Sequence, residues 1–273
     1  MNHPAVDNNA DPLIVIVGQT ASGKTAVAME LAEKFDGEIV CADSRTIYKG
    51  MDIGTAKPTA EEQNRVPHHG IDLIYPDETF SAAQFKEYAL KVIQDIHRRG
   101  KLPILVGGTG LYIDAVLFDF QFGEPADLRL REKLSAKTIS ELQSIINKHG
   151  YPMPENTQNK RYLIRTIERR GVSGENKGMR PNTLGVGLAA KPELLKERIV
   201  QRVNTMLGAG FIDEYRQLLS RYPNTAPGFL APGYKAFAGY LDGTLTIDEA
   251  KDEFARNDWQ LARRQRTWFK RND

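Results

Sequence analysis

The segment that most constrains this chain is residues 18–25, GQTASGKT, which matches the phosphate-loop pattern G-x-x-x-x-G-K-[ST] in full. The apolar run Leu13–Val17 precedes it, and the helical pattern Ala26–Lys34 follows it. In such a strand–loop–helix unit, backbone N–H groups converge on one point, and Lys24 adds a cation there. The segment therefore predicts a site for a multiply charged phosphate group. The candidate ligands are Gly18, Gln19, Thr20, Ala21, Ser22, Gly23, Lys24 and Thr25.

Short apolar runs alternate with helical patterns through the first part of the chain. The predicted strands are Leu13–Val17, Glu38–Ala42 and Leu102–Val106, with a further strand at Thr183–Ala190. The predicted helices between them are Thr25–Phe35 and Ala82–Arg99. Buried parallel strands joined by helices indicate an α/β fold of the P-loop NTPase-like kind, with a parallel sheet flanked by helices.

The pattern changes between about residues 120 and 182. Helices are predicted at Leu128–Leu134, Ile139–Lys148 and Lys160–Arg170, joined by polar loops. We interpret 120–182 as a small helical insertion in a core formed by 13–119 and 183–273, after a flexible leader at 1–12. In the last part of the core, Pro192 opens a helix, and Gly210–Phe269 is helical with a break at Pro223–Gly233.

Composition narrows the class of protein. With 41% hydrophobic and 26% charged residues, the chain reads as an ordinary soluble globular protein. It shows neither a secretory signal nor an apolar run of the roughly 18 residues that a membrane span needs. Cys41 is the only cysteine, which excludes an internal disulfide and fits a reducing cytoplasm. We expect Cys41 to be a small core residue rather than a reactive thiol.

Basic residues concentrate in two segments although the formal net charge is only +2. Residues 159–170 read NKRYLIRTIERR, and residues 257–273 carry arginines interleaved with Trp259, Trp268 and Phe269. Cations and aromatic rings together suit a phosphodiester backbone and unstacked bases. Two solvated helix faces would show the same composition, so this pattern alone leaves both interpretations open.

The chain lacks the acid that nucleotide-hydrolysing proteins usually place at the end of a second strand to hold Mg²⁺. The strand Leu102–Val106 instead ends in GGTG, residues 107–110, and the nearest strand-end carboxylate is Asp43. Strand ends of a parallel sheet share one edge, so Asp43 and Thr109 should both face the phosphate. Asp43 could be a metal ligand, a general base or a turn cap. The glycines at 107, 108 and 110 predict either close approach of a ligand or a plain turn.

Several of these segments together resemble the tRNA dimethylallyltransferase family. The matching runs are DSRTIYKGMDIGTAKP (43–58), PHHGIDL (67–73), FSAAQF (80–85), GGTGLY (107–112), NKRYLIRTIE (159–168), RIVQRVNTMLGAGFIDE (198–214) and RRQRTW (263–268). The resemblance covers nearly all of the chain after residue 12. In place of the family's R-x-x-G-Y-R-Q stretch, the chain has Leu230, Lys235 and Ala236 at the positions of the arginines and the glutamine.

The resemblance implies a reaction in which the phosphate loop holds a leaving group. Dimethylallyl diphosphate would lose pyrophosphate as the exocyclic amine of an adenosine beside the anticodon attacks the allylic carbon. The implied catalytic residues are Asp43 as proton acceptor, Thr109 on the bridging region of the diphosphate, and Arg202 on the departing charge. Mg²⁺ is the implied cofactor, held through Thr25.

The resemblance also implies an RNA partner, the anticodon stem-loop of a tRNA, with the target adenine extruded into the site. The implied tRNA contacts are Asp43, Ser44, Arg45, Thr46, Asn159, Lys160, Arg161, Tyr162, Arg165, Lys235, Arg263, Arg264 and Arg266. His68 and His69 are expected to have structural or RNA-packing roles. We further expect a cytoplasmic monomer with no membrane partner.

Three other functions remain open on the sequence. A small-molecule kinase would place ATP in the loop and use Asp43 to activate a hydroxyl, but it would not need the basic C-terminal half. A prenyltransferase acting on free adenosine nucleotides would share the core motifs. An RNA-binding module with an inactive loop is disfavoured because Lys24, Thr25, Asp43 and Thr109 are all present.

Overall fold

The computed structural model describes residues 11–122, 127–172 and 178–272. These residues divide into two compact units. The first combines the chain up to Leu117 with the chain from Met179 onward, and the second is Phe118–Gly178.

A five-stranded, all-parallel sheet forms the centre of the first unit. Its strands are β1 (Leu13–Gly18), β2 (Gly37–Cys41), β3 (His68–His69), β4 (Leu102–Gly107) and β5 (Thr183–Leu188), in the order β3-β2-β4-β1-β5. The apolar runs of β1, β2 and β4 are buried almost throughout because helices cover a parallel sheet on both faces. The predicted fold class is confirmed.

Helices follow the strands in the order that a parallel sheet requires. In the first unit they are α1 (Lys24–Phe35), α2 (Ala60–Arg65), α3 (Ala82–Arg98), α4 (Gly110–Leu117), α8 (Pro192–Gly208), α9 (Phe211–Leu219), α10 (Pro232–Leu241) and α11 (Ile247–Phe269). In the second unit they are α5 (Leu128–Ser135), α6 (Ile139–Lys148) and α7 (Lys160–Glu168). Short 3-10 helices lie at Pro227–Leu230 and Lys270–Asn272.

Local sequence explains where several helices begin. Ser81 caps α3, and its side chain and that of Gln84 bond to each other's backbone N–H groups. Thr138 and Glu141 form the same capping box at the start of α6. Reciprocal capping satisfies two helix-terminal donors at once, which fixes the first turn.

Three short elements were not predicted from the sequence. β3 has only two residues. α2 is a polar helix of six residues that begins with a capping box. α4 is buried on nearly every side, so it lacks the amphipathic period by which a surface helix is recognised. The C-terminal region also has a second break, between α10 and α11, in addition to the one predicted at Pro223–Gly233.

The C-terminal helices of the first unit are built on an aromatic cluster. Phe211 contacts Tyr234 and Phe237 edge-to-face at 5.1 and 5.4 Å between ring centroids, and Phe254 packs at 6.1 Å. All four rings are essentially inaccessible. Edge-to-face aromatic pairs add about 0.5–1.5 kcal/mol each beyond their burial. The cluster therefore fixes α9, α10 and α11 to one another.

The second unit has its own small core. Leu142, Ile146 and Leu163 are fully buried where α6 packs against α7. Arg131 on α5 binds Glu168 on α7 through two N–H···O bonds of 2.7 Å each. In the described part of the chain, no helix has both the length and the apolar character needed to cross a membrane.

Candidate active site

The phosphate loop opens onto a cavity of about 470 Å³ in the first unit, beside the carboxyl ends of β2 and β4. Charged and polar groups line one part of the cavity: the loop itself from Thr20 to Thr25, together with Asp43, Arg198 and Arg202. Apolar side chains line another part, among them Ala28, Ile39 and Val106. The cavity therefore joins an anion-binding region to a region that suits a hydrocarbon group.

The backbone of the loop is shaped to receive an anion. Gly23 adopts φ +95°, in the left-handed region that glycine enters without steric cost. It precedes α1 and provides no side-chain cap, so the first N–H groups of the helix are not covered by a capping side chain. Ser22 Oγ is buried without a hydrogen-bond partner among the described residues. A bound phosphate oxygen would satisfy these donors.

Lys24 lies at the centre of this charge arrangement. Its Nζ donates a hydrogen bond to the Gln19 carbonyl at 2.7 Å. The pKa of Lys24 is lowered to about 8, chiefly by burial; the charge of Asp43 partly offsets this shift, and the charge of Arg202 adds to it. The ammonium ion is therefore close to neutralisation, and a bound anion would restore its charge.

Asp43 and Thr109 follow the adjacent strands β2 and β4, whose carboxyl ends are paired at Cys41 and Val106. The Thr109 hydroxyl accepts a hydrogen bond from the Ser44 N–H at 3.0 Å. Asp43 lines the cavity, whereas Thr109 is not among its lining residues. Asp43 Oδ1 also accepts from the Arg45 N–H at 2.8 Å, so this carboxylate shapes its own turn as well as facing the cavity.

Arg202 reaches the cavity from α8 and is held by a carboxylate that sequence reasoning missed. Its Nη2 bonds Asp258 Oδ2 on α11, and Asp258 is only 2% exposed. Burial raises the pKa of Asp258, and the bond to Arg202 opposes that rise. Arg202 Nε is buried without a partner among the described residues. Asp258 thus holds the guanidinium through Nη2, whereas Nε is left without a partner among the described residues.

Arg198 is a second cation that the sequence analysis did not single out. It lines the cavity one helical turn before Arg202, and its Nη1 approaches the Ala21 carbonyl at 3.5 Å. The sequence did contain a sign of this role: Arg198 and Arg202 have i, i+4 spacing, which places both on one face of α8.

The glycines of the GGTG turn lie in close contact with other parts of the first unit. A Cβ on Gly107 would lie 2.0 Å from the Ala42 carbonyl oxygen. A Cβ on Gly108 would lie 2.2 Å from Gln265 Nε2, and one on Gly110 would lie 2.2 Å from the Trp268 ring. These contacts explain why the three positions carry no side chain. Gly107 also lines the cavity, and close approach of a ligand to this turn stays a prediction.

Two further cavity residues come from segments that the sequence analysis treated as structural. Cys41 is buried, and burial raises the pKa of its thiol to about 12, in keeping with an inert core residue. His68 also lines the cavity; its Nδ1 bonds the Val66 carbonyl at 2.8 Å and its Nε2 is buried without a partner among the described residues. His69 instead bonds Glu38 at 2.7 Å.

The expected tRNA contacts fall into two groups in the first unit. Ser44, Arg45 and Thr46 lie in the turn after β2, and Thr46 lines the cavity. Exposed basic side chains form the second group, Lys235 on α10 and Arg263, Arg264 and Arg266 on α11.

In the second unit, several of the expected RNA contacts are engaged in local structure. Asn159 caps α7 by accepting from the Arg161 N–H at 3.0 Å, and Lys160 Nζ donates to the Ser135 carbonyl at 2.6 Å. Arg165 bonds Glu168 at 3.2 Å. Arg161 and Tyr162 are exposed.

The described residues contain no group of three or more His, Cys, Asp or Glu side chains that could hold a metal ion. This arrangement still suits a magnesium ion of the phosphate-loop kind, which takes one or two protein oxygens and completes its shell with phosphate oxygens and water. Thr25 and Asp43 supply such oxygens in the cavity.

A parallel α/β sheet with a phosphate loop, cationic side chains and one cavity-lining carboxylate defines the protein as a P-loop protein of the NTPase-like fold. The sequence model of the IPP transferase family matches residues 46–272. A tRNA dimethylallyltransferase of Pelotomaculum thermopropionicum is 39% identical over 97% of this chain and 90% of its own length.

Solved structures show the same relationship. The full-length tRNA isopentenylpyrophosphate transferase of Bacillus halodurans is 40% identical, with a TM-score of 0.74 over 97% of this chain and 88% of that one. A eukaryotic dimethylallyltransferase acting on tRNA is 27% identical, with a TM-score of 0.80 over 95% of this chain and 70% of that one. The chain belongs to the IPP transferase family.

Proposed function

We propose that this protein transfers a dimethylallyl group from dimethylallyl diphosphate to the exocyclic amine of the adenosine on the 3′ side of the anticodon in tRNA. The observation that carries the proposal is the shared cavity, in which the phosphate loop, Asp43 and Arg202 face an apolar wall. Family membership supplies the substrate class, and the cavity supplies groups suited to the chemistry.

The diphosphate fits the cationic part of the cavity. Lys24, Arg198 and Arg202 all line it together with the loop. As the bond from C1 to the bridging oxygen breaks, negative charge grows on the leaving pyrophosphate, and these fixed cations stabilise it where it develops. The prenyl chain would lie against the apolar wall that includes Ala28 and Val106.

Asp43 fits the role of proton acceptor. The bond from the adenine N6 to C1 forms while C1 leaves the diphosphate, and the amine must lose one proton to remain neutral. Asp43 Oδ1 is occupied by the Arg45 N–H, so the turn orients the carboxylate toward the cavity that it lines. Thr109 would act from beside Ser44, on the bridging region of the diphosphate.

Mg²⁺ is proposed as the cofactor, held through the Thr25 hydroxyl and the diphosphate oxygens. It would neutralise part of the charge of the leaving group. The chain's own residues position the diphosphate and take up the proton. The proposed partner is the anticodon stem-loop, contacted by the exposed arginines of α11, and the proposed setting is a monomer in the cytoplasm.

A transfer assay tests the proposal. The protein is incubated with Mg²⁺, labelled dimethylallyl diphosphate, and either a tRNA with adenosine after the anticodon or free AMP. Label should enter the tRNA and not AMP. Label only in AMP would assign the protein to nucleotide prenylation. No label in either acceptor, together with ATP consumption in a parallel incubation that contains ATP and small alcohols, would assign it to the kinases.

A further inference from the structure

Gln265 on α11 links the two chain segments that frame the diphosphate region. Its Oε1 accepts from the Thr20 N–H in the phosphate loop at 2.7 Å. Its Nε2 donates to the Gly108 carbonyl in the turn after β4 at 3.0 Å. The side chain lines the cavity, and the residue is only 8% exposed. A single amide therefore joins the loop to the turn.

The fit around this amide is tight on both sides. A Cβ on Gly108 would lie 2.2 Å from Gln265 Nε2, so the amide would have to move away from the turn. Gln19 Nε2 donates to the Ala262 carbonyl at 3.2 Å, and Trp268 Nε1 donates to Asp114 at 2.8 Å. α11 is thus bonded to the loop and to α4 on either side of Gln265.

The hydrogen bond from Thr20 to Gln265 determines which backbone N–H groups of the loop can face the ligand. The Thr20 N–H donates to Gln265, so it is directed at α11 and not at a phosphate. A phosphate loop binds an anion because the orientation of its peptide planes points several backbone N–H groups at one position. Gln265 sets the direction of the first peptide after Gln19, and with it the path of the loop toward Lys24.

We propose that Gln265 is a positioning residue for the diphosphate, holding the phosphate loop and the GGTG turn in their binding geometry through its two hydrogen bonds. The proposal rests on the function proposed above, because it takes the ligand of the loop to be a diphosphate. Loss of the amide would leave the buried Thr20 N–H and Gly108 carbonyl without their partner, and the loop would relax.

The test measures binding of inorganic pyrophosphate with Mg²⁺ by calorimetry, without tRNA, alongside thermal unfolding. Gln265→Met keeps the side-chain length and removes both hydrogen bonds. Gly108→Ala keeps Gln265 and displaces it from the turn. Each variant should raise the pyrophosphate Kd about tenfold or more. Gln260→Met, an exposed position on the same helix, is the control and should bind like the wild type.

A purely structural role would lower the melting temperature without moving the pyrophosphate Kd. That result in either folded variant would overturn the proposal. If Gln265→Met fails to fold, Gly108→Ala decides by the same criterion. Wild-type protein that binds pyrophosphate but prenylates no tRNA would contradict the proposed function and leave the Gln265 measurement intact.

Discussion

Asp258 on α11 holds the guanidinium of Arg202 on α8 through a buried hydrogen-bonded ion pair. Asp258 has almost no exposure, whereas Arg202 also faces the cavity. Removing one member of a buried charge pair leaves the other uncompensated and free to move. The direction of Arg202 therefore depends on a residue 56 positions away in the sequence.

Asp258→Asn should weaken the use of dimethylallyl diphosphate while sparing tRNA affinity. The amide keeps a hydrogen-bond acceptor but loses the charge that orients Arg202, so kcat/KM for the diphosphate should fall by about tenfold, or 1.4 kcal/mol. Steady-state kinetics at saturating tRNA measure the change. Asp252→Asn, at an exposed position of the same helix, is the control for loss of one negative charge from α11. Unchanged kinetics in Asp258→Asn would show that Arg202 needs no such partner.

Diphosphate affinity should decline as the pH rises through about 8. Burial lowers the pKa of Lys24 to about 8, so the side chain is charged below that pH and neutral above it. The anion binds the charged form, and its affinity is therefore lost on the alkaline side. Kd for the diphosphate is measured from pH 6.5 to 9.5. Lys24→Ala should bind the diphosphate weakly at every pH. Any pH dependence of Kd that remains in this variant comes from titration of the diphosphate itself, so the difference from the wild type reports the titration of Lys24.

Asp43→Asn should slow transfer strongly with little effect on folding. The amide oxygen can still accept from the Arg45 N–H, which preserves the turn, but the side chain can no longer take a proton. General bases typically contribute about 10²–10⁴ in rate. Single-turnover transfer should fall by that amount, with tRNA Kd unchanged. A variant that transfers at wild-type rate would remove Asp43 from the chemistry.

Glu214 should be a strong determinant of stability. Its carboxylate accepts from the N–H groups of Asp52, Ile53 and Gly54 at 2.7–2.9 Å and from the Tyr234 hydroxyl at 2.5 Å. Glu214→Ala leaves these donors unpaired, so the free energy of unfolding should drop by about 2–4 kcal/mol. Denaturant unfolding measures it. Glu197→Ala, exposed on α8, should change little.

The sequence predicted those parts of the fold that show a hydrophobic periodicity or contain a recognisable motif. β1, the phosphate loop, β2, β4 and α3 lie within one or two residues of their predicted bounds. The motif also predicted that Lys24 and Thr25 would face one cavity, and the strand-end argument placed Asp43 there.

The remaining parts depend on partners that are distant in sequence. Gln265 and Asp258 are polar residues of a largely polar helix, a pattern that predicts solvent exposure, yet both are buried. Their partners are Thr20 and Arg202, 245 and 56 residues away. The spacing of residues in the sequence does not predict contacts between residues so far apart. The contacts of the GGTG turn with α11 were not foreseen for the same reason, because the groups that crowd Gly108 and Gly110 are Gln265 and Trp268 of that distant helix.

The dependence of the phosphate loop on α11 has a consequence for biosynthesis. Residues 18–25 leave the ribosome early, but Gln265 is synthesised 245 residues after Thr20. During translation the loop therefore exists without the amide that fixes Thr20 and without the carboxylate that aims Arg202. We expect nascent chains and chains terminated before α11 to be poor at capturing the prenyl donor, so that only a polypeptide that includes α11 competes for it.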